Sequence, residues 1–408
     1  MQKVLSGMRV IEGSAFVAAP SGGMTLAQLG ADVIRFDPIG GGIDYRRWPV
    51  TENNDSIYWH SLNKGKRSIA VDFRNPEGRE ILTRLITAPG DDAGLFLTNF
   101  PARGWLADDN LRAHREDLIY LNLTGDRHGG SALDYTVNCK VGFPYLNRNT
   151  EADEPINNPL PAWDLLAGQH IALGLLAAER HRLRTGKGQF VRLALADVAL
   201  ATIGHLGYIG EIMVNSSPRG PLGNHVYGNY GRDFTCKDGQ QVMIVGISPK
   251  QWQAIVSATG LEQEIENLAS SMKLDFNREG DRYTGGKEIS LLLEPWFAER
   301  DYTTVTALFE SAGVCWGKFQ TMEELVHSDV DCSTGNPLFE QVVQPGVGEY
   351  LVPQNPLGFT MAEREPVRPA PRLGQHTDEI LSDILEMDSG EIGRYHDAGI
   401  VAGALEPV

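Results

Sequence analysis

Cysteine is scarce. The chain of 408 residues has four, Cys139, Cys236, Cys315 and Cys332. No two stand in C-x-x-C spacing, which excludes a zinc knuckle or a thioredoxin-type site. Scattered thiols fit a reducing compartment. Long apolar runs are missing too, and nothing approaches the ~18 to 20 residues of a membrane span. Between Met1 and Pro20, Arg9 and Glu12 interrupt the apolar residues, so no signal-peptide core is read. Basic charge is in deficit: 36 Lys+Arg face 53 Asp+Glu, a formal net charge of −17. That balance argues against a broad basic face for nucleic acid or an anionic membrane. The ten histidines are dispersed without metal-ligand spacing. The expectation is a soluble cytoplasmic protein with no metal site, no nucleic-acid partner and no membrane partner.

Apolar residues make up 42% of the chain, enough for a sizeable core. Strand-like runs alternate with helical ones from the start. Met8 to Ile11, Asp32 to Phe36, Arg67 to Phe73, Ala93 to Thr98 and Leu118 to Leu123 read as strands. Pro20 to Leu29 and Pro76 to Thr87 read as helices. Alternation of this kind implies an α/β fold with a parallel sheet covered on both faces. Ala162 to Arg184 is the strongest helix, with a cationic end and Gly186 suited to its cap. Gln189 to Leu195 reads as a strand and Asp197 to Gly210 as one helix. The composition then shifts. Asn215 to Gly231 is a Gly/Pro/Asn-rich linker, Asp233 to Gly246 a hairpin about Lys237-Asp238-Gly239, and Trp252 to Gly313 mostly amphipathic helix. Asp331 to Pro371 is Pro-rich and extended, and Thr377 to Glu386 and Ser389 to Asp397 are closing helices. The expected organisation is a large Rossmann-like domain from both chain ends, 1–200 and 350–408. A smaller α+β domain, 225–325, is inserted between linkers 201–224 and 326–349.

The opening β-α-β unit invites a dinucleotide reading, with Asp37 where a ribose-binding acid would stand. The loop from Gly13 to Pro20 is GSAFVAAP, not G-x-G-x-x-G. Phe16 and Val17 would block the close backbone approach that such glycines permit. Walker A, G-x-S-x-G and H-E-x-x-H patterns are also absent. Asp164 is the most informative carboxylate, at the mouth of the most apolar helix. It reads either as an N-cap or as a nucleophile kept ionised by the helix N-terminus. Gly168, one turn on, would leave the same face bare for a ligand. Cations gather early: Arg46-Arg47 beside Trp48, Lys64-Gly65-Lys66-Arg67, Arg74 and Arg103. Singly they read as surface charge. Together they suit a polyphosphate cleft, and Arg46 or Arg47 offers a fork for a carboxylate.

Several segments in order resemble the class III CoA transferases: LSGMRV from Leu5, LGADVI from Leu29, NKGKRSI from Asn63, Thr98-Asn99-Phe100, Trp163-Asp164 and the Gly186 to Gln189 turn. The resemblance implies that family's fold and an interlocked homodimer. It implies no tightly bound cofactor, with coenzyme A present as part of the substrate. The family's nucleophile falls on Asp164. Its CoA contacts fall on Val71, Arg74, Asn99, Phe100 and Arg103, and Pro38 replaces a usual basic residue. Phe16, Val17, Arg46, Arg47 and Trp48 are the expected substrate contacts, the last three from the carboxylate fork that Arg46 or Arg47 with Trp48 offers. Val17 stands in place of an oxyanion-supporting Gln, which leaves backbone N–H groups of Gly13 to Val17 for that work. In the family's racemase branch a His precedes a segment matched here by Leu133-Asp134-Tyr135, and that His is missing, which argues for nucleophilic use of Asp164. Longer stretches, among them TNFPARGWL from Thr98 and LGLLAAERHR from Leu173, resemble the branch that moves CoA between the C1 and C4 carboxyls of mesaconate, within one mesaconyl-CoA molecule. That branch serves the 3-hydroxypropionate route of carbon fixation. An intermolecular CoA transferase and a non-catalytic CoA-binding protein are the alternatives.

Overall fold

The computed structural model describes residues 3–148, 154–216, 219–362 and 364–404. Residues 217–218 of the expected linker lie outside them. The chain forms two compact units. One comprises Met1–Val141, Pro159–Gly210 and Val330–Val408, the other Gly142–Asn158 and Glu211–Asp329. Residues 142–148 and 154–158, left in the large domain on sequence, cluster with the second unit, where Leu222 N–H donates to Leu146 O at 2.9 Å.

The larger unit is built on β1 (Arg9–Gly13), β2 (Asp32–Asp37), β3 (Arg67–Val71), β4 (Leu95–Thr98), β5 (Ile119–Thr124) and β6 (Gln189–Ala194). All six are parallel, in the order β3-β2-β1-β4-β5-β6. Their apolar runs are nearly continuous because helices cover both faces. A short strand, Val401–Ala402, adds antiparallel to the β3 edge. This is the α/β architecture with a large parallel sheet that the strand-helix alternation implies. The strand order reverses between β1 and β4, and ligands of such sheets bind at the strand carboxyl ends beside that switch point.

Two helices pack at that point. The first spans Ala18–Gln28 and the long one Ala162–Thr185. Their contact runs through glycine. A Cβ on Gly168 would stand 2.1 Å from Ser21 Oγ and 3.1 Å from Ala18 O, and one on Gly22 would meet Ile171 at 2.6 Å. The bare face of Gly168 therefore admits the first helix, not a ligand, which corrects the sequence expectation. At the far end Gly186 is left-handed (φ 71°), and its N–H closes on Arg182 O at 2.7 Å. This αL cap stops the helix.

Local chemistry also explains the departures. The expected single helix 197–210 is two, Leu195–His205 and Tyr208–Asn215, broken at left-handed Gly207. The Pro-rich 331–371 stretch contains an antiparallel hairpin, Phe339–Gln344 with Gly348–Pro353. The second unit carries a three-stranded antiparallel sheet (Tyr230–Thr235, Gln241–Gly246, Cys315–Lys318) turned at Asp238-Gly239. Its helices pack on an aromatic core in which Phe234 and Phe297 stack at 4.3 Å. No single described helix is long and apolar enough to cross a membrane.

The glycine contact is testable. Gly168→Ala should cost about 1–3 kcal/mol by overpacking. Gly393→Ala, in a helix with open space beside it, should be neutral or stabilising by up to about 1 kcal/mol. Urea unfolding of both variants checks this.

Candidate active site

The base of the site is a buried charge network. Glu12, fourth in β1, and Lys66, just before β3, are fully enclosed. Lys66 Nζ donates to Glu12 Oε1 at 2.7 Å, Asn63 Oδ1 at 2.9 Å and Pro20 O at 2.9 Å, the last in the first helical turn. Gly23 makes this possible, since a Cβ there would fall 1.7 Å from Glu12 Oε2. Arg35, in β2, grips Asp37 with two N–H groups at 2.8 and 2.9 Å. It also reaches Asp44 at 3.1 Å and Asn63 at 3.2 Å. Burial alone would weaken Arg35 as a base, but Asp37 and Asp44 outweigh it and hold the guanidinium charged. Lys66 is pushed down to about 8 by burial, against the pull of Glu12. Asp37 thus serves Arg35, which leaves it no role on a ribose.

The network shapes the loop after β1. Asp44 Oδ2 accepts the Phe16 N–H at 3.0 Å, and Phe16 is left-handed (φ 70°). That conformation costs a non-glycine residue roughly 1–2 kcal/mol. Asn99 clamps the preceding residue, accepting Ala15 N–H at 3.0 Å and donating to Ala15 O at 2.8 Å. Two N–H groups expected to face an oxyanion are thereby engaged. Among the described residues the open donors are the N–H groups of Val17, Ala18 and Ala19, since Pro20 has none and Ser21 N–H donates to Val17 O at 2.8 Å.

A second loop meets the first. Arg47 N–H donates to Asp44 O at 3.1 Å. Ser56 Oγ donates to Arg47 O and accepts Trp59 N–H, capping the helix Ile57–Leu62 that carries Tyr58. The Arg47 guanidinium lies over the Phe16 ring at 5.3 Å and the Tyr58 ring at 5.1 Å. Arg46 and Arg47 are both exposed, and Arg46 bears electrostatically on Tyr45. Trp48 is 78% exposed. Of the three residues in that segment, Arg47 is the one joined to the site.

Asp164 is third in the long helix, whose N-cap is Pro161. The capping acceptor comes from elsewhere. Buried Asp134 Oδ2 takes both Trp163 N–H at 2.7 Å and Asp164 N–H at 3.0 Å. Asp164 is therefore not the N-cap, and among the described residues no hydrogen bond or ion pair ends on its carboxylate. Its acidity is also not what a helix N-terminus alone would set. Burial pushes its pKa up to about 7, Asp134 adds to the rise, and Arg47 opposes it.

The residues expected to meet coenzyme A lie after β3 and β4. Arg74 and Arg103 are exposed there. Phe100 is half-buried, its N–H on Thr98 Oγ1 at 2.9 Å. Phe73, Phe100 and Trp105 join the two loops, Phe73 lying 6.3 Å from Phe100 and 6.4 Å from Trp105. Val71 is fully buried in the core, so its side chain offers no surface to a ligand. Asn99 presents its amide to Ala15, which makes it a brace of the first loop. Sequence reasoning missed Asp44, Tyr58 and the capping role of Asp134. No motif marks them, and only the long-range contacts do.

These features define the class. Residues 5–377 match CoA-transferase family III, and the chain belongs to that family. It is 57% identical over 99% of both chains to the 2-methylfumaryl-CoA isomerase of Chloroflexus aurantiacus. It is 27% identical to the human succinyl-CoA:glutarate CoA-transferase, over 98% of this chain and 90% of that one. A CaiB/BaiF family protein from Brucella suis shares the fold, with a TM-score of 0.75, 24% identity, and coverage of 94% of this chain and 100% of that one.

The raised pKa of Asp164 has a signed consequence. Its folded pKa lies above the usual carboxylate value of ~3.9. The stability it contributes is present below pH ~4 and is lost as pH rises through about 7. Asp164→Asn, neutral throughout, should raise Tm over wild type more at pH 8 than at pH 4. Calorimetry at the two pH values reads this directly.

Proposed function

We propose that the protein is an intramolecular CoA transferase that converts 2-methylfumaryl-CoA (mesaconyl-C1-CoA) into 3-methylfumaryl-CoA (mesaconyl-C4-CoA). The observation that carries this reading is the 57% identity, over 99% of each chain, to a 2-methylfumaryl-CoA isomerase. In this reading an Asp164 carboxylate oxygen attacks the thioester carbonyl. The carbon–sulfur bond breaks, CoA leaves as thiolate, and a mixed anhydride remains. The thiolate attacks the Asp164 carbonyl and expels mesaconate, leaving an aspartyl-CoA thioester. Mesaconate returns through its C4 carboxylate, forms the second anhydride and expels the thiolate. Attack of that thiolate on the C4 carbonyl restores Asp164 and completes the product. Protons and electrons balance without an added reactant, and one hard exchange becomes a series of acyl transfers.

The environment of Asp164 supports this role. Among the described residues no hydrogen bond or ion pair ends on its carboxylate, and Asp134 takes over the cap. Arg74, Phe100 and Arg103, on loops at the strand ends, suit the nucleotide end of CoA, where Arg supplies bidentate phosphate contacts. The same reading includes a cytoplasmic homodimer with interlocked chains and a place in the 3-hydroxypropionate carbon-fixation route. Exposed apolar residues on the long helix, Leu173 at 64% and Leu183 at 70%, suit burial against a second copy.

Incubation with mesaconyl-C1-CoA should yield the C4 isomer. Asp164→Ala should lower turnover by several orders of magnitude, as loss of a covalent nucleophile does, with circular dichroism and CoA affinity unchanged. Near-normal turnover in Asp164→Ala would remove the mechanism. Exchange of label from free succinate at the rate of isomerisation would favour an intermolecular transferase.

A further inference from the structure

The functional reading leaves one charge problem open, and the inference drawn here rests on that reading. A dicarboxylic acid bound as its CoA thioester keeps one free carboxylate. While CoA sits on the aspartate, the diacid carries two. The surroundings are already anionic, with Asp44, Asp134 and Asp164 all acting electrostatically within the Tyr58–Asp164 region. Asp44 is satisfied by Arg35 and Phe16 N–H. Asp134 is satisfied by two helix N–H groups. A second carboxylate beside Asp164 needs its own cation.

We propose that Arg47 is the clamp that holds the free carboxylate of the diacid, at whichever end is not reacting, and so keeps the diacid enclosed between the two half-reactions. The placement argues for it. Arg47, though exposed, lies over the Phe16 ring at 5.3 Å and the Tyr58 ring at 5.1 Å, which holds the guanidinium against two aromatic faces. Among the described residues its N–H groups have no hydrogen-bond or ion-pair acceptor. A guanidinium is itself a planar fork that matches a carboxylate with two parallel hydrogen bonds. Its main chain is fixed at both polar groups, N–H on Asp44 O and carbonyl under Ser56 Oγ. The fork is thus built into the same frame that positions the first loop. Since the two carboxylates carry the same charge, one fixed fork serves both. The C1 end occupies it when C4 reacts, and the C4 end when C1 reacts.

Arg47→Met and Arg47→Lys test this, read in two ways. In turnover, Arg47→Met should raise KM for mesaconyl-C1-CoA at least tenfold and release free mesaconate, or incorporate labelled mesaconate, where the wild type does neither. Arg47→Lys should fall between, keeping charge but losing the fork. In binding, calorimetry of free mesaconate into CoA-saturated protein should show heat with the wild type and none with Arg47→Met, while CoA affinity stays the same. An Arg47→Met enzyme with unchanged KM and no release overturns the proposal and leaves the functional reading standing. Release caused by Arg46→Met but not by Arg47→Met overturns it as well. A wild type that binds mesaconate through Arg47 yet turns over no mesaconyl-CoA removes the functional reading and leaves the clamp.

Discussion

Arg35 is the pivot of this end of the molecule. It is a fully buried cation with two carboxylates and one amide on its N–H groups. Breaking such a group by removing one partner typically costs ~3–5 kcal/mol, because the remaining charge is stranded out of water. The consequence reaches beyond stability. Asp44, held by Arg35, is the acceptor that keeps Phe16 left-handed and the main-chain acceptor for Arg47. Asn63 links the same arginine to Lys66, and through it to Glu12 and the start of the first helix. A rigid charged base beneath two loops gives them one arrangement, and that arrangement faces Asp164.

The nucleophile is built by a division of labour between two aspartates. Asp134 satisfies the helix N–H groups, so Asp164 need not. Freed of that task and half-buried, Asp164 is a stronger base than a surface carboxylate. Higher basicity accompanies higher nucleophilicity toward an acyl carbon. The cost is partial protonation near neutrality, which the neighbouring Arg47 offsets by favouring the charged form. The Arg47 cation and the Asp134 carboxylate at the N-terminus of its helix set opposite limits on the same pKa.

Much of the fold was legible in the sequence because its signals are local. Aliphatic strand runs, Pro76 at a helix start, and Gly186 after the cationic helix end act within a few residues, and the strands and helices follow them closely. Asp164 stood out for the same reason, lying where an apolar helix begins. What was not legible depends on partners far along the chain. Gly168 is bare because Ser21 packs against it, 147 positions away, and nothing beside Gly168 says so. Asp37 resembles a ribose-binding acid until Arg35 is seen to occupy it. The N-cap reading of Asp164 fails because Asp134, 30 residues upstream, does that work. Arg46 and Arg47 are alike in sequence, and only the rings of Phe16 and Tyr58 tell them apart.

The central claim is that Asp164 becomes covalently acylated. The most direct measurement is peptide mass spectrometry after the protein is incubated with mesaconyl-C1-CoA and the intermediates are trapped with hydroxylamine. Attack on either the anhydride or the aspartyl thioester converts the side chain to a hydroxamate. The account predicts that modification on Asp164, dependent on substrate. An unmodified Asp164 during active turnover, or a hydroxamate on another carboxylate, would contradict it.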